Sequence, residues 1–320
     1  MLRLVFFLLL FGVWSKVSAS SLPDPILKVT DQWDKFVSKY VDKHGGVDYV
    51  GINAKFADLK SIVDAHKNFD MAKLDDDARK SVYINLYNAT MIHHILRYAK
   101  EKKIDIKSKD FLELEINDIS VSGGNIWNGD YKISLSGKMV NLDDIEHNLI
   151  RGQAKGELES LKVNVLDPRI HAAVNCAALS CPKVLNVAYY PDNQEKRLGA
   201  KVVDGRNLRA GIDVLLEDNM KSWLSNDSQF KKVSKSEMRA NSIVFWYYSD
   251  FDDHGKKLKL NGAGDYLVKF VVSAKDEAWK KAHFKEEFND RSKISLKLSS
   301  AFEFHYDWKV NDRRNKNSAH

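Results

Sequence analysis

The sequence predicts an α+β fold, namely a single helix-rich domain with a small, mostly antiparallel sheet around a buried central helix. The 320-residue chain is 44% hydrophobic and 29% charged, which is typical of globular proteins. Its strongest helical pattern, from Leu74 to about Ala99, is apolar nearly all round, as expected of a central helix. Two short runs on either side of Ser136-Gly137 predict an antiparallel hairpin.

The first residues are typical of a signal peptide, which we predict over residues 1–19. Arg3 precedes the apolar run Leu4 to Trp14, and compact residues lead up to a cleavage site after Ala19. The run is too short to span a bilayer. We therefore expect a secreted or periplasmic protein with no membrane span in the mature chain.

The rest of the chain is predicted to be one domain, residues 20–312, because no Pro, Ser or Gly tract divides it. The charged end, residues 313–320, is predicted to be a disordered tail. The type of the aromatic segment Ser242 to Tyr248 stays open. The other predicted elements are, in chain order, helices over Asp31–Tyr40, Phe56–Val63 and Leu74–Ala99, a hairpin over Tyr131–Asn141, a helix from an Asn141/Asp144 capping box to Arg151, a buried strand over Ile170–Cys176, helices over Leu208–Trp223 and Asp265–Ala274, and a half-buried strand over Phe302–Trp308.

Two asparagines stand on the central helix. Asn85 and Asn88 are three residues apart, and Ser81 lies on the same face. A buried amide without partners costs about 1 to 3 kcal/mol. One interpretation is that these side chains clamp the backbone of a neighbouring loop. The other is that they orient a catalytic group or bind a substrate amide.

A second polar group occurs in Asp143-Asp144-Ile145-Glu146-His147, which is followed by Arg151. Helical spacing puts Asp143, His147 and Arg151 on one stripe, where a carboxylate can hold an imidazole in one tautomer. The alternative is a series of solvated surface pairs.

The chain has only two cysteines, Cys176 and Cys181, and three interpretations of them compete. They form a disulfide, as expected in an oxidising compartment, they bind zinc with two histidines, or one is a thiolate activated by His147 or His171. In a strand over Ile170–Cys176, His171 and Cys176 would face opposite sides, which disfavours a dyad between them.

Other chemistries lack their motifs. The sequence contains no Gly-x-Ser-x-Gly elbow, phosphate loop or dinucleotide fingerprint, so we expect no cofactor. The densest basic stretches, Lys256–Lys259 and Arg313–Lys316, have no interleaved aromatic residues, so no nucleic-acid partner is expected.

Several short segments between about Trp33 and Asp312 form an ordered set of motifs. They are Gly46-Val47-Asp48-Tyr49, Tyr83-Ile84-Asn85-Leu86-Tyr87-Asn88-Ala89, Leu142-Asp143-Asp144-Ile145-Glu146-His147 with Arg151, Asp167-Pro168-Arg169-Ile170-His171, Asn175-Cys176 with Ser180-Cys181-Pro182, and Tyr306-Asp307-Trp308 with Asn311-Asp312. In this order they resemble the family called domain of unknown function 547. The resemblance implies a secreted single-domain type, and it implies no activity, since none defines the family. Val82 and Tyr83 depart from the family, which often has Phe or Trp there.

The motif residues supply the candidate site. We predict a Cys/His-dependent hydrolase or transferase that acts on an unknown small-molecule or peptide substrate through an amide-like bond, without a metal. The alternative is a non-enzymatic binding or scaffold domain with a structural disulfide. The predicted catalytic residues are Cys176, Cys181, His147, His171 and Asn85, and the predicted substrate-binding residues are Asn88, Glu146, Arg151, Arg169 and Asn175.

Overall fold

The computed structural model describes residues 22–191, 211–226, 241–260 and 306–316, with short pieces between 202 and 270. The predicted α+β class is confirmed. Among these residues the α-helices are α1 (Asp24–Tyr40), α2 (Tyr49–Asn53), α3 (Phe56–Asp64), α4 (Asp76–Glu101), α5 (Lys109–Leu112), α6 (Ile212–Leu224), α7 (Ser242–Trp246), α8 (Tyr248–Lys257) and α9 (Arg313–Lys316). The strands are β1 (Ser120–Val121), β2 (Gly124–Asn125), β3 (Ile133–Leu135), β4 (Lys138–Val140), β5 (Val202–Val203), β6 (Arg206–Asn207), β7 (Phe230–Lys232) and β8 (Met238–Ala240).

The strands do not join into the one small sheet that the sequence suggested. In the described part of the chain they pair as four separate two-stranded antiparallel sheets, β1 with β2, β3 with β4, β5 with β6 and β7 with β8. Each sheet pairs two strands that follow each other in the chain. Contacts between elements distant in the sequence are therefore made by helices and loops. The predicted signal peptide and most of the predicted helix Asp265–Ala274 lie outside the described residues.

Helix α4 is the central helix that the sequence predicts. Its N-cap is Asp75, whose carboxylate accepts a hydrogen bond from the Ala78 amide at 2.9 Å. Acidic residues in the first turn interact favourably with the positive end of the helix dipole. Nearly all of its middle is buried. It packs against α1, α3 and the π-helix that follows β4.

The hairpin and the capping box are also confirmed. Ser136 and Gly137 both have positive φ, 49° and 75°, as a tight hairpin turn requires. After β4, the Asp144 amide donates to Asn141 Oδ1 at 2.8 Å and the Asn141 amide donates to Asp144 Oδ2 at 3.1 Å. A π-helix over Asp144–Ile150 follows, and it delivers Glu146 to the interior.

Two local predictions are wrong. Residues Pro168–Ala172 form a 3-10 helix rather than a strand, because Pro168 is preorganised for a helix start and the Asp167 side chain caps the Arg169 amide at 3.0 Å. The predicted disorder fails over α9, since Arg314 donates to the Asp312 carboxylate and to the Ile106 carbonyl oxygen. Residues 317–320 lie outside the described residues.

The C-terminal segment is extended but does not belong to a named strand. Its carbonyl groups accept hydrogen bonds from three separate parts of the chain: Ile116 donates to Trp308, Leu179 donates to Lys309, and Val47 donates to Asn311. Phe302 and Phe304 of the predicted strand lie outside the described residues. This threading brings Tyr306 and Trp308 to the junction of the core.

The described core has two clusters of buried apolar residues. The larger surrounds α4, and the smaller combines residues of α6, α7 and α8 with residues between 172 and 181, between 263 and 270, and Tyr306. Cys176 and Trp308 pack against both clusters. The candidate site lies where they meet. In the described part of the chain, no helix is long and apolar enough to cross a membrane.

Candidate functional site

A pocket of about 190 Å³ opens at the junction of the two clusters. Tryptophan and tyrosine side chains form a large part of its wall. Trp308 packs against two other tryptophans of the wall, with its ring centroid 5.5 Å from that of Trp246 and 6.0 Å from that of Trp127. Trp246 is 51% exposed and lies at the surface. The lining aromatic residues are Tyr87, Trp127, Trp246, Tyr247 and Trp308.

A disulfide between Cys176 and Cys181 forms part of the pocket wall. Tyr306 Oη lies 3.1 Å from the Cys176 sulfur and 3.0 Å from the Cys181 sulfur. Of the three interpretations of the cysteines, the structure therefore has the disulfide. In this state neither sulfur is a thiolate, so neither can attack a carbonyl group or bind zinc.

Glu146 brings a carboxylate into the same wall. It is only 6% exposed and accepts hydrogen bonds from the hydroxyl groups of Tyr247 and Tyr87. Burial raises the pKa of Tyr247, and the negative charge of Glu146 raises it further. The Tyr247 hydroxyl thus stays protonated and donates to Glu146.

His171 joins the pocket to a buried ion pair. Its Nε2 lies 2.9 Å from Asp250 Oδ2, and its ring stacks on Tyr247 with centroids 3.8 Å apart. Arg151 donates to both Asp250 oxygens, from Nε at 2.7 Å and from Nη2 at 3.0 Å. Burial alone would raise the pKa of Asp250, but the hydrogen bonds from His171 and Arg151 outweigh it and hold that pKa well below its usual value.

This network assigns the tautomer of His171. Burial is the largest influence on the imidazole and lowers its pKa, although Asp250 opposes that effect, so the ring is neutral at neutral pH. The Asp250 carboxylate can only accept a hydrogen bond, so the proton of the neutral ring is on Nε2. Nδ1 then carries a lone pair, and this buried atom has no hydrogen-bond partner.

The predicted stripe of Asp143, His147 and Arg151 is present. Arg151 Nη1 lies 3.0 Å from His147 Nδ1, and His147 Nε2 lies 3.8 Å from Asp143 Oδ1. Burial raises the pKa of Asp143, which His147 partly offsets. Asp143 lines the pocket, whereas His147 and Arg151 lie behind its wall. Arg151 therefore acts on Asp250 rather than on a bound ligand.

Asn85 and Asn88 clamp backbone, as the first of the two interpretations predicted. Asn85 donates to the Tyr189 carbonyl oxygen at 2.8 Å and accepts from the Tyr189 amide at 2.9 Å. Asn88 donates to the Ala173 carbonyl oxygen at 3.0 Å and accepts from the Asn175 amide at 2.9 Å. Both side chains thus have a backbone partner at each end and lie outside the pocket wall. They fix the segment that carries His171 and the disulfide.

Asn175 and Arg169 also lie away from the pocket. The Asn175 side chain is buried, and its Oδ1 accepts from the Ala177 amide at 2.7 Å and from Asn311 at 3.0 Å. Arg169 forms an ion pair with Asp167 and bridges to α6. Among the predicted site residues, the pocket brings together Glu146, His171, Cys176 and Cys181.

Sequence reasoning missed Asp250, the partner of both His171 and Arg151. It also missed the roles of Trp127, Trp246 and Tyr247 in the pocket wall. The one available signal was the aromatic segment Ser242 to Tyr248, which ends two residues before Asp250. Within the described residues, no group of three or more His, Cys, Asp or Glu side chains is arranged to hold a metal ion.

Fold and site together define an α+β domain with an aromatic pocket that is closed on one side by a disulfide. Residues 71–204 match the family described as Protein of unknown function, DUF547. The matched range contains α4, the π-helix, His171 and both cysteines, whereas Asp250, Trp246 and Trp308 lie beyond it. No curated protein and no solved structure matches the chain.

Proposed function

We propose that the protein is a ligand-binding domain whose pocket takes a small organic group, and that the Cys176–Cys181 disulfide stabilises the pocket wall. One observation carries the proposal: both sulfurs are bonded to each other in a concave wall of which tryptophan and tyrosine side chains form a large part. Concave, mostly apolar surfaces with a few polar groups are typical of ligand sites.

A fragment screen by ¹H–¹⁵N NMR, with the disulfide intact, tests this proposal. Ligands of the pocket should shift the indole signals of Trp127, Trp246 and Trp308. Trp246→Ala should weaken the binding of these ligands at little cost to the fold, since Trp246 is half exposed. The matched control is Trp33→Phe, at a buried tryptophan of α1 outside the pocket. If no fragment moves a pocket indole, the binding proposal fails.

A second candidate is the Cys/His-dependent hydrolase or transferase, which requires the disulfide to be reduced. The observation in its favour is His171, which lines the same wall as Cys176 and has an unpartnered Nδ1. A dithiol reductant would convert the bridge to two thiols and itself become a disulfide. His171 Nδ1 would take the proton of the Cys176 thiol, and the resulting thiolate would attack the carbonyl carbon. The imidazolium would protonate the leaving amine, and water would then hydrolyse the acyl–sulfur bond, which releases the acid and regenerates the thiol.

The pH dependence of alkylation separates the two candidates. Reduced protein is treated with iodoacetamide, and the modified peptides are mapped. An activated Cys176 should react with an apparent pKa well below the usual value of about 8.5, and His171→Gln should restore that usual value. An ordinary thiol pKa that His171→Gln leaves unchanged would eliminate the hydrolase.

We also propose that the protein acts outside the cytosol. The predicted leader and the disulfide both fit an oxidising compartment. N-terminal sequencing of protein from the culture medium or periplasm of an expressing cell should begin at Ser20, and a mature chain that begins at Met1 would contradict the proposal.

A further inference from the structure

We infer that the pocket recognises a protonated amine, an organic cation that carries N–H groups. This inference rests on the proposed binding function and specifies its ligand. It draws on two features of the wall, an aromatic surface beside two carboxylates and an unpartnered acceptor.

The aromatic surface and the carboxylates favour a cation. The rings of Trp127, Trp246 and Trp308 cluster on one side, and the negative faces of such rings attract positive charge. The carboxyl groups of Asp143 and Glu146 line the same pocket. Indole faces therefore contact the carbon substituents of an amine while a carboxylate neutralises its charge.

Arg151, the nearby cation, also attracts Glu146, but its carboxylate hydrogen bonds go to Asp250. Arg151 lies behind the wall and is bound by both oxygens of Asp250. His171 is neutral at neutral pH for the reasons given above. A carboxylate has about four acceptor positions, and the Tyr87 and Tyr247 hydroxyl groups occupy two of those on Glu146. Glu146 thus keeps acceptor capacity for a ligand.

His171 Nδ1 favours an amine with N–H groups over a cation without them. The atom is a buried acceptor without a partner in the described structure, and such an atom normally finds a donor. A small adjustment of the wall that exposes Nδ1 would let an ammonium N–H donate to it.

The size of the pocket limits the ligand to a small head group. Its volume of about 190 Å³ is below the range of about 300 to 1,000 Å³ typical of sites for drug-sized ligands. An ammonium group with a few carbon atoms fits this space.

The test uses a pair of probes matched in length, n-butylammonium and neutral 1-butanol, titrated against tryptophan fluorescence at pH 7 and fixed ionic strength. We expect n-butylammonium to bind at least tenfold more tightly than 1-butanol. Glu146→Gln should weaken the amine about tenfold and leave the alcohol unchanged. Glu157→Gln, at an exposed glutamate outside the pocket, is the matched control and should change neither.

Because Glu146 is buried, Asp143→Asn provides a second, less buried variant if Glu146→Gln fails to fold. Equal affinity for the alcohol and the amine overturns the cation inference and leaves the binding proposal standing. Fragment hits in the pocket with no response to n-butylammonium overturn it in the same way. A pocket that responds to no fragment removes the proposed function itself.

Discussion

The Cys176–Cys181 disulfide is expected to contribute about 2 kcal/mol to the free energy of unfolding. The perturbation is reduction of this bond in the wild-type protein, compared with a Cys176→Ala/Cys181→Ala variant that cannot form it. The bridge spans a sequence separation of 5. In the chain-entropy description, so short a loop restricts the unfolded chain only modestly, hence about 2 kcal/mol.

This free energy corresponds to a small shift in Tm. An unfolding entropy of about 2.1 cal/mol/K per residue, applied to the 320-residue chain, converts 2 kcal/mol to about 3 °C. Differential scanning calorimetry with and without a phosphine reductant measures the shift, and mass spectrometry confirms the redox state. The alanine variant should melt at the same temperature in both conditions.

Three results would refute this reasoning. A wild-type protein that is fully reduced by mass and melts at an unchanged temperature would show that the bond does not stabilise the fold. Free thiols in protein that has never met a reductant would show that the bond does not form. Unfolding at room temperature on reduction would mean that the bridge organises far more of the core than its own loop.

Three further predictions concern buried polar groups outside the pocket wall. Asp250→Ala should destabilise the protein by about 3 kcal/mol in urea unfolding, because Arg151 then stays buried without its partner. The control Asp253→Ala, at an exposed position, should cost less than about 0.5 kcal/mol. Equal effects of the two substitutions would contradict the role of Asp250 as the partner of Arg151. Asn88→Ala leaves a buried carbonyl oxygen and a buried amide unpaired and should cost about 2 to 4 kcal/mol, so a loss below about 1 kcal/mol would remove its clamping role. Burial lowers the pKa of His66 to about 4. The contribution of neutral His66 to the free energy of unfolding is therefore complete above about pH 6.5 and falls by roughly 3 kcal/mol as the pH drops from 6.5 to 4. Between pH 7 and pH 4.5, unfolding curves should show a smaller loss of stability in His66→Gln than in the wild-type protein.

The sequence predicted the elements whose causes are local. The apolar pattern and acidic cap of α4, the Ser136-Gly137 turn and the reciprocal caps of Asn141 and Asp144 all depend on residues within a few positions of each other. The segment Ile170–Cys176 failed as a strand because short apolar runs fit several structures, and here the Asp167-Pro168 start favoured a 3-10 helix.

The candidate site was predictable only in part, because local sequence patterns do not show which distant residues meet. Motif order identified Glu146, His171 and the two cysteines, because polar residues in these positions carry the family resemblance. The disulfide stood among three alternatives until the structure joined its two sulfurs. Asn85 had two interpretations in the sequence, and only its contacts with the Tyr189 backbone decided between them.

What the sequence by itself determined is therefore an α+β domain built around α4, with a resemblance to one family and a short set of polar residues. Only the tertiary structure decided that Asp250 meets His171, 79 residues away in the chain, and that Trp308 meets Trp127 in a pocket wall. Such pairs have no periodicity and no fixed spacing, because packing of the two apolar clusters sets their distance. The packing of the two clusters therefore decides which groups form the site.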